Sequence, residues 1–217
     1  MRLQGTLSWL AYRFTRHRIA NAPLAWWLFG LTCAWIALPV LGEAQRTPAG
    51  IAATALALIL LLAVALGRRN NYIVFRAAEP RPLSPARPLK PEEKIPARAT
   101  GFFEVGGMRQ YFAHVQAWFE TVETREHIAI ARNPVSCFLL IATTREHEGG
   151  MWYAFFRPEH VRSVETGLAC FGWRVSPALR IAFQAESRKA EENLYLAFEN
   201  QENLAVVLND LHLDAAI

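Results

Sequence analysis

Apolar and polar positions change rhythm several times along this chain. Leu3, Leu7, Leu10, Ala11 and Phe14 recur at helical spacing, and Arg13, Arg16, His17 and Arg18 follow. That pattern suits an amphipathic helix lying on a membrane surface, its bases facing anionic head groups, or else a poorly ordered basic tail over residues 1–18. The rhythm then disappears. Ile19–Gly42 runs 24 residues without a formal charge, and Thr47–Gly67 runs 21. Each meets the roughly 20 apolar residues that a helix needs to cross a bilayer. Only Glu43–Arg46 connects them, so the pattern predicts a two-helix hairpin over 19–69, with spans at about 23–42 and 48–67. Pro39 marks the end of the first span or a kink in it.

Beyond the hairpin the punctuation changes. Pro80, Pro82, Pro85, Pro88, Pro91 and Pro96 make residues 77–98 a basic linker with a polyproline II bias. From about Ala99 short β-branched and aromatic segments alternate with Gly-rich or charged turns. They are Gly101–Val105, Gln110–Phe119, His127–Ala131, Val135–Thr144, Met151–Phe156, Val161–Cys170, Arg180–Gln184 and Leu194–Phe198. The pattern predicts an antiparallel sandwich or barrel. It closes with one helix: Asn200 is a candidate N-cap, and Leu204, Val207, Leu208 and Leu211 form an apolar stripe.

Charge assigns sides. Residues 1–18 carry four arginines and no acid, residues 68–99 carry eight bases against three acids, and residues 100–217 are net −5. Lys and Arg near span ends are retained in the cytoplasm. The expectation is a multi-pass protein of the cell (inner) membrane with both termini and the β domain cytoplasmic. The basic sequence pI thus belongs to the membrane flanks, and nucleic acid is not an expected partner. A cleaved signal peptide ending near Gly42 or Ala44 is the rival for the first span, but its apolar run is long for one. Cys33, Cys137 and Cys170 form no disulfide framework or metal spacing.

Candidate site residues follow from the same reading. Arg13, Arg16, Arg18, Trp26, Trp27, Arg68, Arg69 and Tyr72 are expected at the membrane interface. Gly30 with Ala34, and Ala49, Ala53 and Ala57, form small-residue stripes that suit close helix packing, within the hairpin or against a second copy or subunit. The spans contain no ionisable residue of the kind that marks an ion route. No catalytic, cofactor or metal residues are expected. The six histidines make no close pair, no Gly-rich loop leads into Lys-Ser or Lys-Thr, and Ser136-Cys137 sits in an apolar strand. Glu123 and Glu126 read as a solvated face.

Trp152–Phe156, Pro158–Gly167, Pro177–Phe183 and Leu194–Leu211, in that order, resemble the second sheet and closing helix of a pleckstrin-homology-like (PH-like) domain of bacterial membrane-anchored proteins. The resemblance covers about 60 residues and rests on pattern more than on a fixed motif. It implies an α+β membrane protein: an N-terminal two-helix transmembrane hairpin plus a PH-like antiparallel β-sandwich or barrel over 99–213, capped by one C-terminal helix. Phosphoinositide-binding members carry a basic cluster in the first strand–strand loop, where this chain has Arg109 alone. The function expected is a membrane-tethered interaction or scaffold module for an unidentified protein partner, not an enzyme. The alternative is a lipid or small-ligand binder at the inner leaflet.

Overall fold

The computed structural model describes all residues except Asn21, 38–46, Asn70, 79–86, 91–92, Gly106, 122–126, 133–150, 157–159, 185–190 and 215–217. The described residues form four helices and ten strands, an α+β chain. They divide into two compact units, Met1–Val74 with Phe171–Arg174, and Phe75–Cys170 with Val175–Ile217.

The first unit is helical. Helix α1 (Arg2–Arg16) is followed by a two-stranded ribbon of β1 (Arg18–Ile19) and β2 (Ala22–Pro23). Ala20 takes the left-handed conformation there, and the Leu24 N–H donates to the His17 carbonyl at 2.7 Å. The first apolar run therefore opens with a tight turn. Pro23 disfavours helix at the preceding residue, and α2 (Leu24–Ala37) starts only after it. Helix α3 (Pro48–Arg69) begins as its sequence directs: Thr47 Oγ1 accepts the Gly50 N–H at 3.1 Å and Pro48 occupies the first turn. Both α1 and α2 pack on α3.

One described helix, through its Gly50–Gly67 stretch, is long and apolar enough to cross a membrane. The 14 residues of α2 rise about 21 Å at 1.5 Å per residue, less than the roughly 30 Å hydrocarbon core. Residues 38–42 of the expected first span, Pro39 among them, and the connection Glu43–Arg46 lie outside the described residues. Of the two spans expected from the sequence, one corresponds to a described helix of sufficient length and apolarity.

The second unit is built on an eight-stranded antiparallel sheet. Its strands are β3 (Val74–Ala77), β4 (Ile95–Val105), β5 (Met108–Thr121), β6 (His127–Arg132), β7 (Met151–Phe156), β8 (Val161–Phe171), β9 (Arg174–Gln184) and β10 (Glu191–Ala197). Their spatial order is β3-β8-β9-β10-β4-β5-β6-β7, and β7 returns to pair with β4 through Tyr153 and Glu104. The expected strand Gly101–Val105 is the second half of β4, which starts at Ile95. Pro96 is tolerated because β4 pairs there with β5 alone. The expected strand Val135–Thr144 lies outside the described residues, as do Ser136, Cys137, Glu123 and Glu126.

A bulge lets β4 serve both halves of the sheet. Residues Arg98–Thr100 pair with β10 and Glu104 pairs with β7. Between them, Ala99 faces Val115 and Gly101 faces Phe112, so Ala113 and His114 stand opposite Thr100 alone. His114 has φ +53, and its N–H donates to Thr100 Oγ1 at 2.8 Å. A two-against-one bulge of this kind bends the strand and raises its twist.

The buried core lies inside this curl. It gathers Phe103, Phe112, Phe119, Trp152, Phe156, Leu179, Ile181, Leu194, Leu196 and Phe198 with Leu204, Val207 and Leu211 of helix α4 (Gln201–Asp214). Asn200 caps α4 as expected, its Oδ1 accepting the Asn203 N–H at 2.8 Å. At the β3 side, a Cβ on Gly167 would run into the Arg76 carbonyl oxygen and lie 2.9 Å from the Phe75 ring. The absent side chain lets Phe75 pass over β8 and meet the Tyr195 ring at 5.6 Å.

The linker does not run fully extended where it is described. Arg87 grips Glu93 with both guanidinium nitrogens, at 2.7 and 2.5 Å, and the Glu93 N–H donates to the Lys90 carbonyl at 3.1 Å. Leu89 packs against the β core.

Candidate functional site

Each unit carries one surface of interest. In the helical unit, α3 turns Gly50, Val64 and Gly67 inward and leaves Ile51, Leu56, Leu58, Ile59, Leu62 and Leu66 exposed. Helix α2 likewise buries Ala25 and Thr32 and exposes Trp26, Trp27, Phe29 and Leu31. Large aliphatic and aromatic side chains on the outside of helices mark a surface made for a non-aqueous neighbour.

The expected interface residues occupy varied positions. Trp26 and Trp27 are exposed in the first turn of α2, and Trp27 Nε1 donates to the Ile19 carbonyl at 2.9 Å. Arg18 is exposed in β1 and Arg16 is half-buried at the end of α1. Arg13 stacks over the Trp9 ring, its guanidinium carbon 5.4 Å from the centroid. Arg68 and Arg69 close α3. Tyr72 departs from the expectation. It is buried, with φ +51, and its ring meets Tyr12 at 5.5 Å. A Cβ on Gly67 would lie 2.7 Å from that ring and 3.2 Å from Ala11 Cβ, so the glycine lets α1 and Tyr72 approach α3 closely.

Gly30, Ala34 and Ala53 are exposed, nothing lies within 4 Å of a Cβ built on Gly30, and Ala57 is half-buried. Ala49 lies in the first turn of α3. The inward positions are Gly50, Val64 and Gly67, offset from the alanine stripe.

Helix α1 has a second face that the sequence reading missed. Gly5 is buried together with Ala11 of the expected apolar stripe, whereas Leu3 and Leu7 of that stripe are exposed. The Gly5 carbonyl accepts the Gly172 N–H at 3.0 Å, and the Tyr12 ring meets Phe171 at 6.0 Å. These contacts fasten the tip of the β8–β9 hairpin to α1 inside the helical unit.

In the β unit, the β4–β5 hairpin and β7 present Phe102, Met108 and Tyr153, each about two-fifths exposed. Arg109 organises this surface. Its guanidinium lies 3.9 Å from the Phe102 ring centroid, pairs with Glu192 of β10 at 2.5 Å and approaches Glu104 at 3.9 Å. Phe102 in turn packs edge-on against Tyr111 at 5.1 Å. Arg109 thus crosses to β10 just beyond the point where β4 has left it. The one base of the first strand–strand loop is engaged by two carboxylates, an arrangement poorly suited to an incoming phosphate. Among the described residues, no three His, Cys, Asp or Glu side chains gather into a metal-binding group.

No protein-family model matches the chain, and no characterised protein aligns with it significantly.

Proposed function

We propose that the chain is a membrane-tethered interaction module whose β unit is a PH-like domain serving as an accessory or assembly surface for a membrane protein complex. The observation that carries the reading is α3, a helix apolar along 18 residues with its outward face open, in a chain that also builds a separately packed β unit. In this reading the uncharged run Ile19–Gly42 supplies the first span of a hairpin, and the basic flanks keep both termini in the cytoplasm. A four-strand group, β4 to β7, then a three-strand group, β8 to β10, then one helix supports the PH-like resemblance. The engaged Arg109 and the net acidic 100–217 segment favour a protein partner over a phosphoinositide. The surface proposed for that partner is Phe102, Met108 and Tyr153, aromatic and apolar with charge at its rim. The open Gly30–Ala34 stripe suits a second copy or a membrane subunit.

The test is mild-detergent affinity purification of the full chain with mass spectrometry, after crosslinking in native membranes. A partner recovered by the wild type and lost with F102A and Y153A supports the reading. A chain that crosslinks to nothing counts against it. Specific lipid recovered without protein would favour the lipid-binding alternative.

A further inference from the structure

The exposed indole at the tip of the β8–β9 hairpin has no role in that reading. Trp173 is 70% exposed, next to Gly172, which takes φ +64 in the turn. The tip is held in place. Gly172 donates to the Gly5 carbonyl, and a Cβ built on it would stand 3.7 Å from Trp9 Cγ. Trp9, 36% exposed, carries Arg13 over its ring. The turn that carries Trp173 therefore abuts a Trp–Arg stack on α1 through Gly172, with Arg174 exposed next to Trp173. Leu3 and Leu7 are exposed on the same helix. Neither residues 1–42 nor Phe171–Arg174 contain an acid.

We propose that Trp173, Trp9, Arg13 and Arg174 form an anionic-lipid contact at the bilayer surface. The proposal rests on the reading that this helical unit lies in a membrane, and it adds a site drawn from a distant part of the chain. Indole rings favour the depth of the lipid head groups, where the ring is shielded and the N–H stays wet. Arginines beside them attract phosphatidylglycerol or phosphatidylserine. Loose exposed indoles gain little, because ordering them costs entropy. Here the Gly5–Gly172 hydrogen bond and the Tyr12–Phe171 ring contact have already fixed the tip. With bases and no acid in residues 1–42 or Phe171–Arg174, an anionic surface is the complementary partner.

The full chain is placed in nanodiscs of phosphatidylcholine with and without phosphatidylglycerol, using lipids brominated near the head group. Tryptophan emission is compared between wild type and W173F. The expected result is a blue-shifted difference spectrum, quenched by the brominated lipid and more strongly so with phosphatidylglycerol. In the R13Q/R174Q variant the phosphatidylglycerol increment should vanish. A red-shifted difference spectrum, quenched by aqueous iodide alike in both discs, would overturn the proposal. So would an increment that survives R13Q/R174Q. Alkaline carbonate extraction separates the two levels. Retention of wild type and W173F in the membrane with an iodide-quenched Trp173 rejects only the tip contact, whereas release of both rejects the membrane reading and the tip contact with it.

Discussion

Thr100 Oγ1 accepts the backbone N–H of His114 at 2.8 Å, inside the bulge where β4 leaves β10 for β7. Thr100 is fully buried, so its hydroxyl replaces a ladder partner that the bulge has displaced. Replacing Thr100 with Val keeps the shape and strands a shielded donor, a loss of about 1–3 kcal/mol. Thermal denaturation of the full chain in detergent should show T100V well below wild type and T100S close to it. Equal midpoints for T100V and wild type would mean that the hydroxyl is dispensable at the corner.

Gly67 is a point of close approach in the helical unit. G67A should cost about 1–3 kcal/mol, because a methyl group has to displace the Tyr72 ring or push Ala11 away. Adding Y72A should be less harmful in the G67A background than in wild type, as expected for residues in contact. Strict additivity in that double-mutant cycle would contradict the geometry.

Arg109 and Glu192 are only 17% and 12% exposed in their side chains. Opening a well-buried pair costs roughly 3–5 kcal/mol, and the residual exposure here lowers the expectation for R109A to about 2–3 kcal/mol. R109K should fall between R109A and wild type, since it keeps the charge but loses the planar fork that lies on Phe102. Chemical denaturation distinguishes the three. A lysine variant as stable as wild type would reduce the cluster to simple charge pairing.

The Glu93 carboxyl is held down to about 2, first by the hydrogen bond from Arg87 and then by the Lys90 amide. Because the folded value lies below the ordinary 4.5, this tie is intact above that range and is lost as pH falls toward about 2. Being exposed, it should weaken with salt and leave the global melting temperature nearly unchanged. Amide exchange at Glu93, corrected for its intrinsic pH dependence, should accelerate through that window in wild type. In E93Q it should be fast throughout.

How far the sequence led depends on how local each cause was. The Asn200 cap and the α4 stripe were legible because both act within a few residues. Thr47 and Pro48 opened α3 where the uncharged run began, for the same reason. Strand β5 hides its own bend. Its buried positions are Phe112 and Ala113 side by side, then Val115, Ala117 and Phe119, and the two adjacent buried residues mark a phase change that the two-against-one pairing with Thr100 explains. The four residues of β3 are too few to show a period. The inward face of α1 was legible only at Ala11; Gly5 and Tyr12 are chosen by close approach to Tyr72 and the Phe171–Gly172 tip, none of which is near in sequence. Trp173 falls between two expected strands, and nothing in its own stretch of sequence names the α1 residues beside the turn that carries it.

The helical unit is discontinuous: its last four residues are Phe171–Arg174, nearly a hundred positions after Val74. On the ribosome, α1 to α3 can form long before the tip that accompanies them exists, so for most of the chain's synthesis the Gly5 carbonyl and the Tyr12 ring wait without it. Long-range partners of this kind slow assembly. A nascent chain stalled or cleaved before residue 171 would present a finished trio of helices with an unfilled seat, a distinctive state for a chaperone or a quality-control protease to recognise.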